Sequence, residues 1–346
     1  MSKVRVHNEW DPIEEIIIGR AANARIPKPD LSLLATDYKD YDGIENIPSG
    51  PYSDQIIEET EEDLDELIQT LQKLGVIVRR PDIADHSINF STPDWESDGE
   101  KNYCPRDVMV TIGNWIIEAP MILRSRFFET LSYKPILLDY LRSGACWISA
   151  PKPRLTDDTY NIHNSSCSII NEKEPIFDAA NILRLGRDIL YLVSASGNRL
   201  GAVWLQTILG KEYRVHTYDN LYSGVHVDST IALIHPGLVV VNSERIGTLN
   251  LPDLFKEWDV IYLEEIVDIG YINIALSSKW IGMNLLMINP SLAIVDKNQT
   301  PLIKKLERYG VDVVPLQLRH ARTLGGGFHC VTLDVRRTGT LENYFD

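Results

Sequence analysis

One pattern recurs along this chain and restricts the folds open to it: an apolar run, a tight turn, a second apolar run, then a further short strand. Hairpins of this kind read at 108–120, 182–194, 231–243 and 284–296, each two β-branched-rich runs around a turn. Helical sequence follows the second and fourth hairpins at 201–209 and 301–309, and short strands at 214–219, 259–265 and 311–318 complete the units. Turn follows turn at about fifty residues, a period typical of repeat architectures. A fifth copy opens the chain with a strand from Ile13, a helix over 55–74 and a strand over 76–80. In that helix Leu64, Leu67, Ile68, Leu71 and Leu74 share one face, glutamates crowd the N-terminal half, and Gly75 supplies the stop. Units of this size cannot bury both faces alone, so five of them favour one domain over 1–346, closed around an axis. An irregular α/β protein whose hairpins are merely alike meets the same pattern.

The charge balance limits partners. Lys and Arg number 34 against 49 Asp and Glu, a net charge of −15, which repels nucleic-acid phosphates and anionic lipid and tolerates small cationic ligands. The longest apolar runs are too short to cross a bilayer, and the polar opening MSKVRVHNEW is no signal peptide. Cys104, Cys146, Cys167 and Cys330 make neither a CxxC pair nor a zinc spacing, so a reducing cytoplasm is expected. Neither a metal nor an organic cofactor is implied, since no phosphate-cradling glycine motif occurs. Long irregular stretches lie at 21–53, 85–104 and 151–175, and the last is the expected lid over a substrate.

Candidate chemistry clusters near strand ends. Three glycines, Gly325 to Gly327, bring Phe328, His329 and Cys330 to a place where backbone can approach closely, so Cys330 is either a presented nucleophile or a small buried hydrophobe. His226 and Asp228 form an HxD step whose side chains share one face of an extended segment. Asp107 and Asp178 stand beside apolar strands and need partners if buried. A thiol, an imidazole and several carboxylates suit chemistry on a cation, with two carboxylates on a guanidinium and an oriented histidine moving protons.

The blocks CPRD at 104, EAPM at 118, RSRFFE at 124, APKP at 150, FDAAN at 177, GVHVDST at 224, SSKWIGMN at 277 and GGGFHC at 325 together resemble the glycine/inosamine amidinotransferase family. The likeness runs from HNEWDPIEEIIIGR to DVRRTGTLENYFD. The phrases IPSGPY at 47, TPDW at 92, APKPRLTDD at 150 and VPLQL at 314 are most similar to its inosamine-phosphate branch. The resemblance implies a five-bladed α/β propeller, the pentein fold, built of ββαβ modules, and a homodimer. It implies Cys330 as nucleophile, His226 as general acid and base, Asp178 as the group orienting His226, and Asp107 with Asp228 as guanidinium clamp. Arg245, Ser278 and Ser277 are implied at the donor's amino-acid end. Ser223, Gly224 and Val225 directly precede His226, where small side chains leave room for a bulky acceptor. The implied reaction moves the amidino group of arginine through Cys330 to an amine, an aminocyclitol phosphate in that branch, and releases ornithine. Transfer to glycine, lysine or another natural-product amine, a deiminase-like hydrolase, and a silent binding protein are the alternatives.

Overall fold

A computed structural model of the chain describes residues 2–162 and 169–345. Among the described residues, five sheets have three strands each, and four repeat one wiring. In each, an antiparallel hairpin is followed by a parallel third strand. Met109–Ile112 pairs with Trp115–Glu118 and then Cys146–Ser149. Ile182–Leu185, Asp188–Leu192 and Arg214–Tyr218 form the next sheet. Ile231–His235, Leu238–Asn242 and Asp259–Leu263 form the one after, and Leu286–Asn289, Leu292–Asp296 and Asp312–Leu316 the last of the four.

The fifth sheet is assembled from both ends of the chain. Ile13–Ile18 lies parallel to Ile77–Arg79 and antiparallel to Thr332–Arg337. The sequence reading assigns the first two strands but not the third, because no turn joins Thr332–Arg337 to its partner. Chain-end pairing of this kind leaves no local signal.

The hairpin turns are two residues long. Gly113 and Gly186 take φ of 59° and 68°, the left-handed region that such turns need and that a Cβ disfavours. Helices Lys134–Arg142, Arg199–Leu209, Thr300–Arg308 and Asp54–Lys73 cross between second and third strands, while the unit from Ile231 makes the crossing with the short turn Asp253–Phe255. Helix Asp54–Lys73 is capped by the Ser53 hydroxyl and buries Leu64, Leu67 and Leu71 as expected. Leu74 departs from the expectation: it is the cap residue and 43% exposed.

Several strands are buried at every position, Met109–Ile112, Ile182–Leu185 and Leu238–Asn242 among them. This is why they read as continuous apolar runs instead of alternating ones. Arg184 is the exception within such a run. Its guanidinium is fully buried between Glu9 and Asp334, with Arg106 and Arg337 on the far side of Asp334.

Two stretches read as irregular carry short elements. Segment 21–53 holds helix Leu31–Thr36, capped by the Asp30 carboxylate, and the ribbon Arg25–Ile26 with Gly50–Pro51. Segment 85–104 holds the ribbon Phe90–Ser91 with Glu96–Ser97. These are too brief to leave a periodic signal. No helix among the described residues is long and apolar enough to cross a membrane.

Candidate active site

Each three-stranded sheet delivers polar groups to one cavity from the turn just before its first strand. Asp107 lies on the short helix Pro105–Val108 before Met109–Ile112, and Asp178 precedes the turn Ala179–Asn181 that enters Ile182–Leu185. His226 and Asp228 stand before Ile231–His235. Ser278 caps the turn Lys279–Met283 before Leu286–Asn289, and Cys330 stands two residues before Thr332–Arg337. Repetition of one module thus gathers residues far apart in sequence. All of them line a cavity of about 370 Å³, at the lower end of small-molecule sites.

The thiol is the most enclosed group. Cys330 is 1% exposed; its Sγ donates to Asp228 Oδ2 at 3.1 Å and accepts from Asn284 Nδ2 at 3.2 Å. The Asn284 side chain also accepts from the backbone N–H groups of His329 and Cys330, at 2.8 and 3.1 Å, and so fixes the turn carrying the thiol. The glycines make this approach possible. A Cβ on Gly327 would stand 2.7 Å from the Asn284 side chain, and one on Gly326 2.5 Å from Cys104 Sγ, both closer than packed atoms allow. Gly325 ends helix Ala321–Leu324 with φ of 77°.

Around the histidine stand three carboxylates. His226 Nε2 lies 3.0 Å from Asp178 Oδ2, and its Nδ1 is 3.6 Å from Asp107 Oδ1. Burial pulls the imidazole pKa down, but Asp107, Asp178 and Asp228 outweigh it and push it up to about 9. Burial and the anions Asp228 and Asp107 push the Cys330 thiol up. The cavity without substrate therefore holds an imidazolium and a neutral thiol at neutral pH. For Asp228, burial acts upward, but the His329 hydrogen bond and charge prevail and hold its carboxyl at about 2.

Asp107 is half satisfied. Its Oδ2 accepts from Arg126 Nη1 at 2.7 Å, whereas its buried Oδ1 has no hydrogen-bond partner. Arg126 is held in turn by two bonds to Glu129, at 2.6 and 3.0 Å. An unpaired buried carboxylate oxygen is costly. Placed in one cavity wall with a second carboxylate, it has the chemistry to receive a hydrogen-bonding cation.

The wall differs from the sequence reading in several places. Ser277 and Ser278 line it, as do Gly224 and Val225, but Ser223 does not. Arg245 is outside the wall as well: Nη1 donates to Ser229 and Thr230, Nη2 to Ser278 Oγ at 3.2 Å, and the guanidinium stacks 3.6 Å from the Tyr222 ring centre. It braces Tyr222 and Ser278, which do face the cavity. The expected lid, 151–175, contributes no described residue to the wall, and 163–168 lie outside the described residues. Thr36 to Asp40 and the buried ion pair Glu100 and Lys101 take that side instead. Asn284, Arg126 and His329 carry roles the sequence reading left unassigned, although each stands in a block that carries the resemblance.

A thiol, a carboxylate-held imidazole and two further buried carboxylates in one small cavity of an α/β fold define an enzyme class that handles a cationic substrate. No protein-family model matches the chain, but individual relatives do. Inosamine-phosphate amidinotransferase 1 of Streptomyces glaucescens is 56% identical over 99% of both chains. Mitochondrial glycine amidinotransferase of Gallus gallus is 39% identical over 98% of this chain and 84% of its own. The solved inosamine-phosphate amidinotransferase StrB1 of Streptomyces griseus superposes over the full length of both chains with a TM-score of 0.98 at 55% identity. The chain belongs to the amidinotransferase family that includes these proteins, and it is an enzyme of that class.

The histidine fixes a pH dependence. Its conjugate acid persists well above the ordinary 6.5 and is lost as pH rises through about 9, so activity requiring it as an acid should have its alkaline limb near 9. The pH profile of ornithine release checks this; a limb at the ordinary imidazole value contradicts it.

Proposed function

We propose that this enzyme transfers the amidino group of arginine, through a covalent amidino-cysteine at Cys330, to the amine of a phosphorylated aminocyclitol. The observation that carries the donor half is Asp107 Oδ1, buried without a hydrogen bond in the same wall as Asp228 and Cys330. A guanidinium bridging Asp107 and Asp228 satisfies both acids and replaces the thiol as hydrogen-bond donor to Asp228. Its positive charge beside Sγ lowers the cost of forming the thiolate.

Sγ then bonds to the guanidinium carbon, and the tetrahedral adduct breaks at the bond to the δ-nitrogen of arginine. His226, held by Asp178, gives that nitrogen a proton and is recharged by the proton the thiol has lost. Ornithine leaves. In the second half the neutral acceptor amine attacks the amidino carbon, the C–S bond breaks as His226 gives Sγ a proton, and the proton lost by the amine nitrogen recharges His226. Ser277 and Ser278 face the donor's amino-acid end, and Arg245 holds Ser278 in place.

The acceptor assignment rests on the inosamine-phosphate relatives and on the charges of the wall. A phosphate needs an uncommitted cation. Lys101 is paired with Glu100, Arg126 with Glu129 and Asp107, and Arg322 with Asp268. Lys39, in the exposed part of the wall, has no ion-pair partner among the described residues. Lys39→Met should raise KM for a phosphorylated acceptor about tenfold, the worth of one partly screened charge-assisted contact. Steady-state kinetics should show arginine KM and the first half-reaction unchanged; equal effects on a phosphorylated and a phosphate-free acceptor would remove Lys39 from this role.

The five sheets read as blades of one closed propeller, a single domain over 1–346. That reading is supported by their shared wiring and by the sheet that unites the two chain ends. The function is tested by incubation with arginine and a panel of amines, an inosamine phosphate, glycine and lysine among them, with ornithine and citrulline quantified. Ornithine with one amidinated cyclitol supports the proposal, while citrulline across the panel makes the enzyme a hydrolase.

A further inference from the structure

An imidazole whose two nitrogens both face carboxylate oxygens has one protonation state that satisfies both. His329 is so placed: Nδ1 is 3.0 Å from Asp228 Oδ2, and Nε2 is 3.2 Å from Glu9 Oε2. Either neutral tautomer would aim a lone pair at one of these acids, whereas the imidazolium donates to both. The acids themselves are committed as anions. Glu9 accepts from Arg184 Nε and Nη2, each at 2.7 Å, and lies 3.6 Å from Arg106 Nη1. Asp228 accepts from Cys330 Sγ as well.

Among the described residues the ring makes no other hydrogen bond or ion pair to a charged side chain. Arg106 Nε donates to the His329 carbonyl at 2.8 Å, on the backbone side. The remaining neighbours of the gap beside the ring are Leu183, Ile231, Ala232, Leu233, Leu285 and Met287. One buried row of contacts thus runs from Asp334 through Arg184, Glu9 and His329 to Asp228 and the thiol.

We infer that His329 is a positioning residue: anchored by Glu9, it holds Asp228 oriented for the guanidinium. The inference rests on Asp228 being half of the donor clamp, as proposed above. Asp228 has to exchange a thiol for a guanidinium while its carboxylate stays in place, and the Nδ1–H bond to Oδ2 keeps it from swinging. A conventional sequence reading overlooks His329 because it touches neither the cavity's reacting atoms nor a strand face.

His329→Asn separates this role from packing, since its amide can still donate where Nδ1 does but carries no charge and does not span to Glu9. In single-turnover ornithine release, the variant should be about tenfold slower at neutral pH, the difference between a charged and a neutral hydrogen bond. It should also gain an acid limb in the ordinary carboxylate range that the unaltered enzyme lacks, because Asp228 loses its cation. A variant that is merely less heat-stable, with an unchanged pH profile, overturns the positioning role. Nitrogen-15 NMR of the unaltered enzyme tests the contact without relying on a variant's folding. The Nδ1 resonance of His329, assigned by its loss in His329→Asn, should shift when arginine is added at constant pH, and a resonance that does not move overturns the inference. If the unaltered enzyme releases no ornithine, the donor reading fails, and the NMR result still decides whether His329 senses the cavity through Asp228.

Discussion

Cys330→Ala is expected to abolish turnover by on the order of 10⁴-fold or more, the usual cost of deleting a nucleophile, while arginine still binds. The fold has little reason to object. The lost sulfur leaves Asn284 Nδ2 donating to the Asp228 carbonyl at 3.4 Å and Asp228 with His329, so no buried polar group is orphaned, and stability should change by about 1 kcal/mol. Binding should survive because the proposed clamp is Asp107 and Asp228, not the thiol. Calorimetry should therefore record arginine binding to a protein that releases no ornithine. If the variant released ornithine at a rate near that of the unaltered enzyme, a hydroxyl or water would have to be the nucleophile.

Asp178→Asn should cost on the order of 10³- to 10⁴-fold in kcat, the scale seen when a catalytic histidine loses the acid that sets its tautomer. The Asp178 carboxylate meets His226 Nε2 at 3.0 Å through one oxygen and the Ile122 N–H at 3.3 Å through the other. An asparagine can keep one of these contacts but brings no charge. Two effects follow. The His226 conjugate acid loses one of the anions that lift it to about 9, so the alkaline limb should move toward the ordinary imidazole value. The ring also loses the acceptor that keeps Nε2 protonated. Arginine KM should change little, since Asp178 makes no part of the guanidinium clamp. A fall of less than tenfold with the limb unmoved would show that His226 is oriented by Asp107 instead.

Much of this architecture was legible as hairpins. Runs such as 182–194 and 231–243 bound two-residue turns that fit only one local structure, and four of the five modules follow from them. The fifth was half legible, because Thr332–Arg337 pairs with Ile13–Ile18 across the whole length of the chain, and pairing at such separation leaves no periodic trace. Site residues divide the same way. Cys330, His226, Asp178, Asp107 and Asp228 stood in dense motifs, and the structure brings all five to one cavity. Arg245 and Ser223 lie outside the wall: neither a motif match, as for Arg245, nor a neighbouring position, as for Ser223, says which way a side chain turns out of a loop. The contributions of Asn284, Arg126 and Glu9 are partnerships between modules, and those exist only once the chain has folded. The lid assignment to 151–175 followed length alone, whereas the short capped helix Leu31–Thr36 is what brings Thr36 to Asp40 against the cavity.

The covalent half-reaction is the centre of this account, and mass spectrometry of the intact enzyme mixed with arginine and no acceptor tests it most directly. The expected result is a mass gain of one amidino group, mapped to the peptide carrying Cys330, with one equivalent of ornithine released and the label discharged when the aminocyclitol phosphate is added. Ornithine or product formed without any labelled enzyme, or a label on another residue, would contradict it.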